Sequence, residues 1–240
     1  MMLRLFGAVL VCLVAVALGL LRWRPRVANG CERGGDRVFT KADLAARYNG
    51  TGYGKPIYMA ITGLVYDVTT GSEFYAGEGS YDFFAARDAS LAFATGEFQT
   101  NLTDDVSSLT SSELVDLESW VRDTYVARYV YKGLLQGHFY DECGRKTVAA
   151  LGYDRLIALE HHRQGRLSED KGLFKPCNSK KTRTERYIWC AEPLLPRNRS
   201  YLGLDRCACV HPGVVDSQAE ASMKLYDDCP PGDSKCPLPL

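Results

Sequence analysis

The chain is 240 residues long, which spans one to two domains and is enough for a buried core. Lysine plus arginine and aspartate plus glutamate both number 29, so the formal net charge is zero, and no basic excess marks a nucleic-acid binder. With 46% hydrophobic and 24% charged residues the composition is globular rather than disordered, and a single membrane-grade stretch excludes a multispanning transporter.

That stretch is Leu5 to Leu21, uncharged and preceded by Arg4, as in a signal-peptide core. Ala28-Asn29-Gly30 supplies a small-x-small pattern for cleavage, so residues 1–30 read as a signal peptide or an N-terminal anchor. Two rules then conflict. The arginines at 22, 24 and 26 would hold the following chain in the cytosol if the segment stayed as an anchor. The nine cysteines point the other way, to an oxidising compartment. Removing Cys12 with the leader leaves an even set, crowded between Cys177 and Cys236 and absent between Cys31 and Cys143. This reads as a disulfide framework on the tail, with a Cys31–Cys143 bridge fastening the ends of the middle domain. The pairing within the tail stays open. Zinc needs close pairs of the C-x2-C kind, and Cys207-Ala208-Cys209 is too tight. Sequons at Asn49, Asn101 and Asn198 fit a secretory route. A secreted or lumenal protein is therefore expected, with anchoring in the endoplasmic-reticulum membrane as the alternative. Membrane contact would run only through an uncleaved N-terminal segment.

From residue 38 the chain becomes patterned. Thr40 as N-cap with Asp43 three residues on predicts a helix start. Ile57 to Ile61 and Leu64 to Val68 are β-rich runs around Thr62-Gly63, a hairpin signal. After a connection rich in glycine (Gly71, Gly77, Gly79), Tyr81 to Thr95 predicts an alanine-rich helix closed by Gly96. Thr110-Ser-Ser-Glu113 is a capping box, and the helix it opens carries Leu114, Leu117, Val121 and Tyr125 at core spacing beside Trp120. Arg128 to Leu135 is strand-like. Residues 36–137 thus form an α+β domain, followed by residues 144–240. In that second part, Lys146 to Leu167 predicts a helix with Leu151, Leu156 and Leu159 among its apolar positions. Beyond it periodicity gives way to proline, cysteine and arginine.

The segment that carries chemistry is Phe74-Tyr75-Ala76-Gly77-Glu78-Gly79-Ser80-Tyr81. Two tyrosines joined by a flexible loop and followed by Phe83, Phe84 and Phe93 are suited to lining a flat apolar pocket. A phenol oxygen is a hard anionic ligand for ferric iron, and a second phenol can donate a hydrogen bond to it. By periodicity alone, however, such residues read as core.

Three strings change that balance: Tyr58 to Thr69, Phe74 to Tyr81, and Ala86-Arg-Asp-Ala-Ser90. Their order from about residue 37 to 136 resembles the membrane-associated progesterone receptor family, a branch of the cytochrome b5-like haem fold. The tail is similar to that of one member, through Pro176-Cys177-Asn178, Trp189-Cys190, Cys207-Ala-Cys209 and Cys236-Pro-Leu-Pro-Leu240. The resemblance implies a cytochrome b5-like haem-binding domain followed by a helix and a cysteine-rich, disulfide-stapled tail. It implies haem (iron protoporphyrin) held by a single axial tyrosine, Tyr81, with Tyr75 hydrogen-bonding near it. Arg128 and Tyr129 fall where the family carries a lysine-tyrosine pair close to haem; arginine's fork meets a carboxylate differently, so a solvated strand-edge cation is an equal reading of Arg128.

Val210-His211-Pro212-Gly213 imitates the histidine ligand motif of cytochrome b5 but lies in the tail, where Pro-Gly favours a turn. No histidine precedes His138, so bis-histidine ligation is not expected. His161-His162 reads as a solvated helix face, and the basic run Lys180 to Arg186, a candidate for heparin or anionic lipid, as loop surface. The expected function is a non-enzymatic, secreted haem-binding factor; the resemblance suggests promotion of neuronal differentiation through a receptor the sequence does not identify. The alternatives are a redox or stabilising partner of a cytochrome P450 or steroid-metabolising enzyme, and a haem-free interaction module.

Overall fold

The computed structural model describes residue 31 and residues 35–52, 54–215 and 222–239. The expected signal peptide or anchor, 1–30, lies outside these residues. The chain divides into two compact units, one comprising residues up to Leu109 with Leu117–Leu151, the other Thr110–Asp116 with Gly152–Leu240.

The first unit is organised by a four-stranded sheet in the order β1-β4-β3-β2, with β1 Val38–Phe39, β2 Tyr58–Ile61, β3 Leu64–Asp67 and β4 Val130–Leu135. β1 runs parallel to β4, and the other pairs are antiparallel. The expected N-cap forms: Thr40 Oγ accepts from the Asp43 N–H at 3.0 Å and starts α1, Lys41–Arg47. Phe39, Leu44, Val65 and Leu135 bury the sheet's inner face almost completely.

The β2–β3 hairpin turns at Thr62-Gly63, both at positive φ (51° and 75°), as a two-residue hairpin loop requires. Gly63 cannot be replaced cheaply, because a Cβ there would sit 2.6 Å from the Tyr140 ring. Thr62 is a strained choice at such a φ, and two hydrogen bonds hold it. Its N–H donates to Ser90 Oγ at 2.7 Å, while the Gly63 N–H donates to the buried Asp88 carboxylate at 2.8 Å. Asp88 also accepts from the Ser90 N–H and hydroxyl.

The single helix expected over Tyr81–Thr95 is not formed. It is replaced by a 3-10 turn, Asp82–Phe84, and a short helix α3, Ser90–Thr95, closed by Gly96 in the left-handed conformation. Local helical propensity loses here to sheet pairing. The Ala86 N–H donates to Tyr58 O at 2.7 Å, and the Arg87 carbonyl accepts from Ala60 at 2.9 Å. These bonds pull the middle of the segment onto the edge of β2, with Ala86 at φ 60°. Between β3 and this region lie a 3-10 turn, Thr69–Gly71, and the one-turn helix α2, Ser72–Tyr75.

The capping box closes as expected, the Thr110 N–H donating to Glu113 Oε2 at 2.8 Å. It opens α4, Ser111–Trp120, which continues as a π-helical turn, Val121–Val126. α5 runs Val148–Leu173, later and longer than the sequence pattern indicates. Leu151, Leu156 and Leu159 are exposed rather than core, and the buried face carries Ala150 and Ile157, seven residues and thus two turns apart.

In the second unit the tail is more regular than its composition suggests. β5 Asn178–Lys181 and β6 Arg186–Trp189 form a hairpin joined by β10 Lys235–Pro237. β7 Leu195–Tyr201 and β8 Leu204–Val210 form a second, flanked by β9 Met223–Lys224. Between β8 and β9 stands the one-turn helix α6, Pro212–Val215. Disulfides join Cys177–Cys207, Cys190–Cys209 and Cys229–Cys236, resolving the open pairing, and Cys31–Cys143 closes the first unit. Buried Asp170 accepts from Arg199 Nε at 2.7 Å and from Arg206. No helix of the described residues is long and apolar enough to cross a membrane.

Candidate functional site

An aromatic cleft of about 430 Å³ opens in the first unit, within the size range of small-molecule sites. Its residues come from three segments. α2 ends in Phe74 and Tyr75; the chain then loops through Gly77 (φ 59°) and Gly79 and returns, the Tyr81 N–H donating to Phe74 O at 2.8 Å. A Cβ on Gly79 would strike the Phe74 carbonyl, so this tight return needs glycine. The loop thereby brings the Tyr75 and Tyr81 rings to 6.3 Å, side by side on the cleft.

The second segment supplies the aromatic wall. Phe84 and Phe93 stack at 4.0 Å, and Phe98 packs against Phe84 at 5.6 Å. The third is the end of α4 and its π-helical extension. There Trp120, Thr124 and Arg128, each four residues apart, share a helix face toward the cleft, with Tyr125 and Tyr129 beside them.

The three inner tyrosines interact with one another. Tyr75 Oη lies 3.1 Å from Tyr125 Oη, and the Tyr129 ring meets Tyr75 edge-on at 6.2 Å. Gly71 makes this approach possible, since a Cβ there would lie 2.9 Å from the Tyr129 hydroxyl. Burial, followed by the Tyr125 hydrogen bond, pushes the Tyr75 phenol far above its usual range. Burial likewise pushes Tyr125 up to about 12, against the opposing effect of the Tyr75 hydrogen bond. Both therefore stay neutral at ordinary pH and act as hydrogen-bonding phenols. Tyr81 differs in position: its side chain is 44% exposed, at the mouth.

Tyr75, Tyr81, Arg128 and Tyr129 all line this one cleft. The Tyr75 hydroxyl pairs with that of Tyr125, and its ring lies 6.3 Å from the Tyr81 ring. Phe84 and Phe93 form the wall, whereas Phe83 backs it, stacking on Phe98 at 5.0 Å. Trp120 and Tyr125 read from sequence as helix core and turn out to face the site. The sequence carries no signal that sets Trp120 apart, since its 53% exposure appears only in the folded chain. No histidine lines the cleft. His211 sits in an exposed turn, its Nδ1 accepting from the Gly213 N–H at 3.3 Å. A phenol at the mouth offers one hard oxygen donor, the aromatic slot takes a flat apolar body, and Arg128 on the lining offers a fork for a carboxylate. Among the described residues Cys177, Cys190 and Cys209 also cluster with metal-like spacing, but their sulfurs are committed to disulfides.

The family model described as "Cytochrome b5-like Heme/Steroid binding domain" matches residues 40–140. The chain is 34% identical to "Neuferricin homolog" of Drosophila melanogaster, over 83% of this chain and 77% of that protein. It is 31% identical to "Neuferricin" of Mus musculus, over 100% of each. "Membrane-associated progesterone-binding protein 4" of Arabidopsis thaliana is 32% identical over 83% of each chain. A solved Arabidopsis thaliana protein described as having a cytochrome b5 like fold is 36% identical, covering 44% of this chain and 96% of that one, with a TM-score of 0.39.

Proposed function

The chain belongs to the neuferricin family, with a cytochrome b5-like haem/steroid-binding domain, and from this premise we propose that its cleft binds ferric haem through Tyr81. The observation that carries the reading is the contrast among the tyrosines. Tyr75 and Tyr125 satisfy each other in the interior, while Tyr81 stands half exposed at the opening of an aromatic slot. The residues present fit the group: the slot is lined mostly by aromatic rings, its mouth carries a phenol suited to ferric iron, and Arg128 suits a propionate. Bound haem would supply a ferric centre of low potential, fit for binding or sensing rather than rapid electron shuttling. Tyr75, packed edge-on against Tyr129, anchors the start of the loop from which Tyr81 projects.

We read the protein as a non-enzymatic factor of the secretory route, with a part in neuronal differentiation. The four disulfides support the oxidising compartment and disfavour a cytosolic partner of a cytochrome P450. The test is the absorbance of the full chain purified from a secretory host and titrated with haemin. A Soret band is expected in the parent and its loss or displacement in Tyr81→Phe. A chain that stays colourless after titration would overturn haem binding, and a spectrum unchanged in Tyr81→Phe would overturn the ligand.

A further inference from the structure

Two disulfides of the tail meet on one strand. Cys177 directly precedes β5 and Cys190 directly follows β6, and they bridge to Cys207 and Cys209 of β8. Residues two apart on a strand send their side chains to one face, so the bridges leave β8 side by side. Cys177 Sγ lies 3.7 Å from Cys190 Sγ of the other bridge, and the sulfurs of Cys177, Cys190 and Cys209 all lie within 4.8 Å of one another. The hairpin register explains this closeness. Asn178 pairs with Trp189, so one step outward Cys177 stands opposite Cys190. Opposed residues of an antiparallel pair hold their Cα atoms about 4.5–5.5 Å apart, within the span of a disulfide. These sulfurs therefore have two pairings within reach. The one present ties the β10-β6-β5 sheet to the β8-β7-β9 sheet twice; the other, Cys177–Cys190, closes the β5–β6 hairpin on itself.

We infer that Cys177, Cys190, Cys207 and Cys209 form a thiol-exchange centre that reacts with low-molecular-weight thiols and uncouples the two sheets. Cys177 and Cys207 are partly exposed while Cys190 and Cys209 are buried, so the outer bridge takes the attack. A thiolate RS⁻ bonds Cys207 Sγ, the Cys177–Cys207 bond breaks, and Cys177 leaves as a thiolate. Cys177 Sγ then bonds Cys190 Sγ, which breaks Cys190–Cys209 and expels Cys209 as a thiolate. The two sulfurs already stand close to the separation of about 3–3.5 Å at which oriented groups react, so this internal step outruns a second external attack. A second RS⁻ resolves the mixed disulfide on Cys207 and releases RSSR. In sum one protein disulfide is reduced to the thiols of Cys207 and Cys209, and two RSH are oxidised to RSSR. Afterwards no disulfide of the described residues joins β8 to the β5–β6 hairpin. The centre is independent of the haem reading, since none of its cysteines lines the aromatic cleft.

The experiment treats the full, disulfide-intact chain with limiting dithiothreitol and caps free thiols with N-ethylmaleimide at intervals. Non-reducing digestion and mass spectrometry then locate the caps and the surviving links. The main two-thiol species should carry both caps on β8, at Cys207 and Cys209, together with a new Cys177–Cys190 link. Caps on Cys177 with Cys207, or on Cys190 with Cys209, as the main products would overturn the exchange. So would passage to the fully reduced tail with no Cys177–Cys190 link at any time. A second variant traps the product: secreted Cys207→Ser/Cys209→Ser should contain the Cys177–Cys190 link and no cap on either residue, whereas both thiols free would overturn the proposed pairing. If that variant is not secreted, the titration of the parent still decides.

Discussion

The unit that bears the cleft buries Phe39, Leu44, Met59, Ile61, Val65 and Leu135 to within about 1% exposure. Its described disulfide joins Cys31 to Cys143, at its borders rather than through its core. The tail unit has small apolar clusters, around Ile188 with two half-cystines and around Ala208, Val210 and Met223. There three disulfides cross short strands, and a buried carboxylate is shared by two arginines. The comparison shows one chain using two sources of stability. Where apolar residues recur at sheet spacing, burial suffices; where they are sparse, covalent and ionic links replace it.

Reduction should separate the two units most strongly. Chain-entropy arguments assign about 3–4 kcal/mol to each of the loops closed over 30 and 19 residues, and about 2 kcal/mol to the one closed over 7. The sum rivals the whole stability of a small domain. Hydrogen exchange under reducing conditions should show β5 to β10 losing protection while β2, β3 and β4 retain it; uniform loss would break the comparison.

Asp170→Asn should cost about 3 kcal/mol in the tail, read from its denaturation midpoint, because two arginines lose their shared partner. Burial works to raise this carboxyl, but hydrogen bonds and charges from Arg199 and Arg206 outweigh it and hold it below its usual value. A carboxyl depressed in the folded state contributes stability above its unfolded pKa of about 4, and that contribution fades as pH falls through the folded value. Acid should therefore weaken the tail below about pH 4, and the asparagine variant should lack that component.

Tyr75→Phe should cost the first unit about 1–2 kcal/mol by leaving the Tyr125 hydroxyl without its partner, measured by urea denaturation. It should retain the Soret band that Tyr81→Phe loses, which distinguishes an interior phenol from one at the mouth. The smallest effect belongs to Thr110→Ala, about 1 kcal/mol by thermal melting, from the loss of the α4 cap.

Short-range chemistry was legible in the sequence. The Thr40 cap and the Thr110 box depend on contacts within three residues, and each forms; the Thr62-Gly63 turn forms as its sequence predicts, although Ser90 and Asp88 help to hold it. Features set by distant partners were not. Ala85 to Ala89 reads as helix, and only its pairing with β2 breaks it. Tyr125 reads as core because its hydroxyl partner is fifty residues away. The tail strands escape periodicity because cysteines and arginines occupy the inward positions where valine or isoleucine would signal a strand, as with Arg197, Arg199, Cys209 and Cys236. In the cleft, the phenols were evident from the Phe74 to Tyr81 string, while Trp120 and Phe98 required the folded chain to be seen.

The Cys31–Cys143 link has a mechanical consequence. Tension applied between the residues before Cys31 and those after Cys143 passes through a covalent bond and bypasses the parallel β1–β4 pairing. The cleft-bearing module would hang beside the load path as a shielded side loop. Pulling on the chain from its two ends should stretch the tail while leaving the aromatic slot undeformed until that bond is reduced.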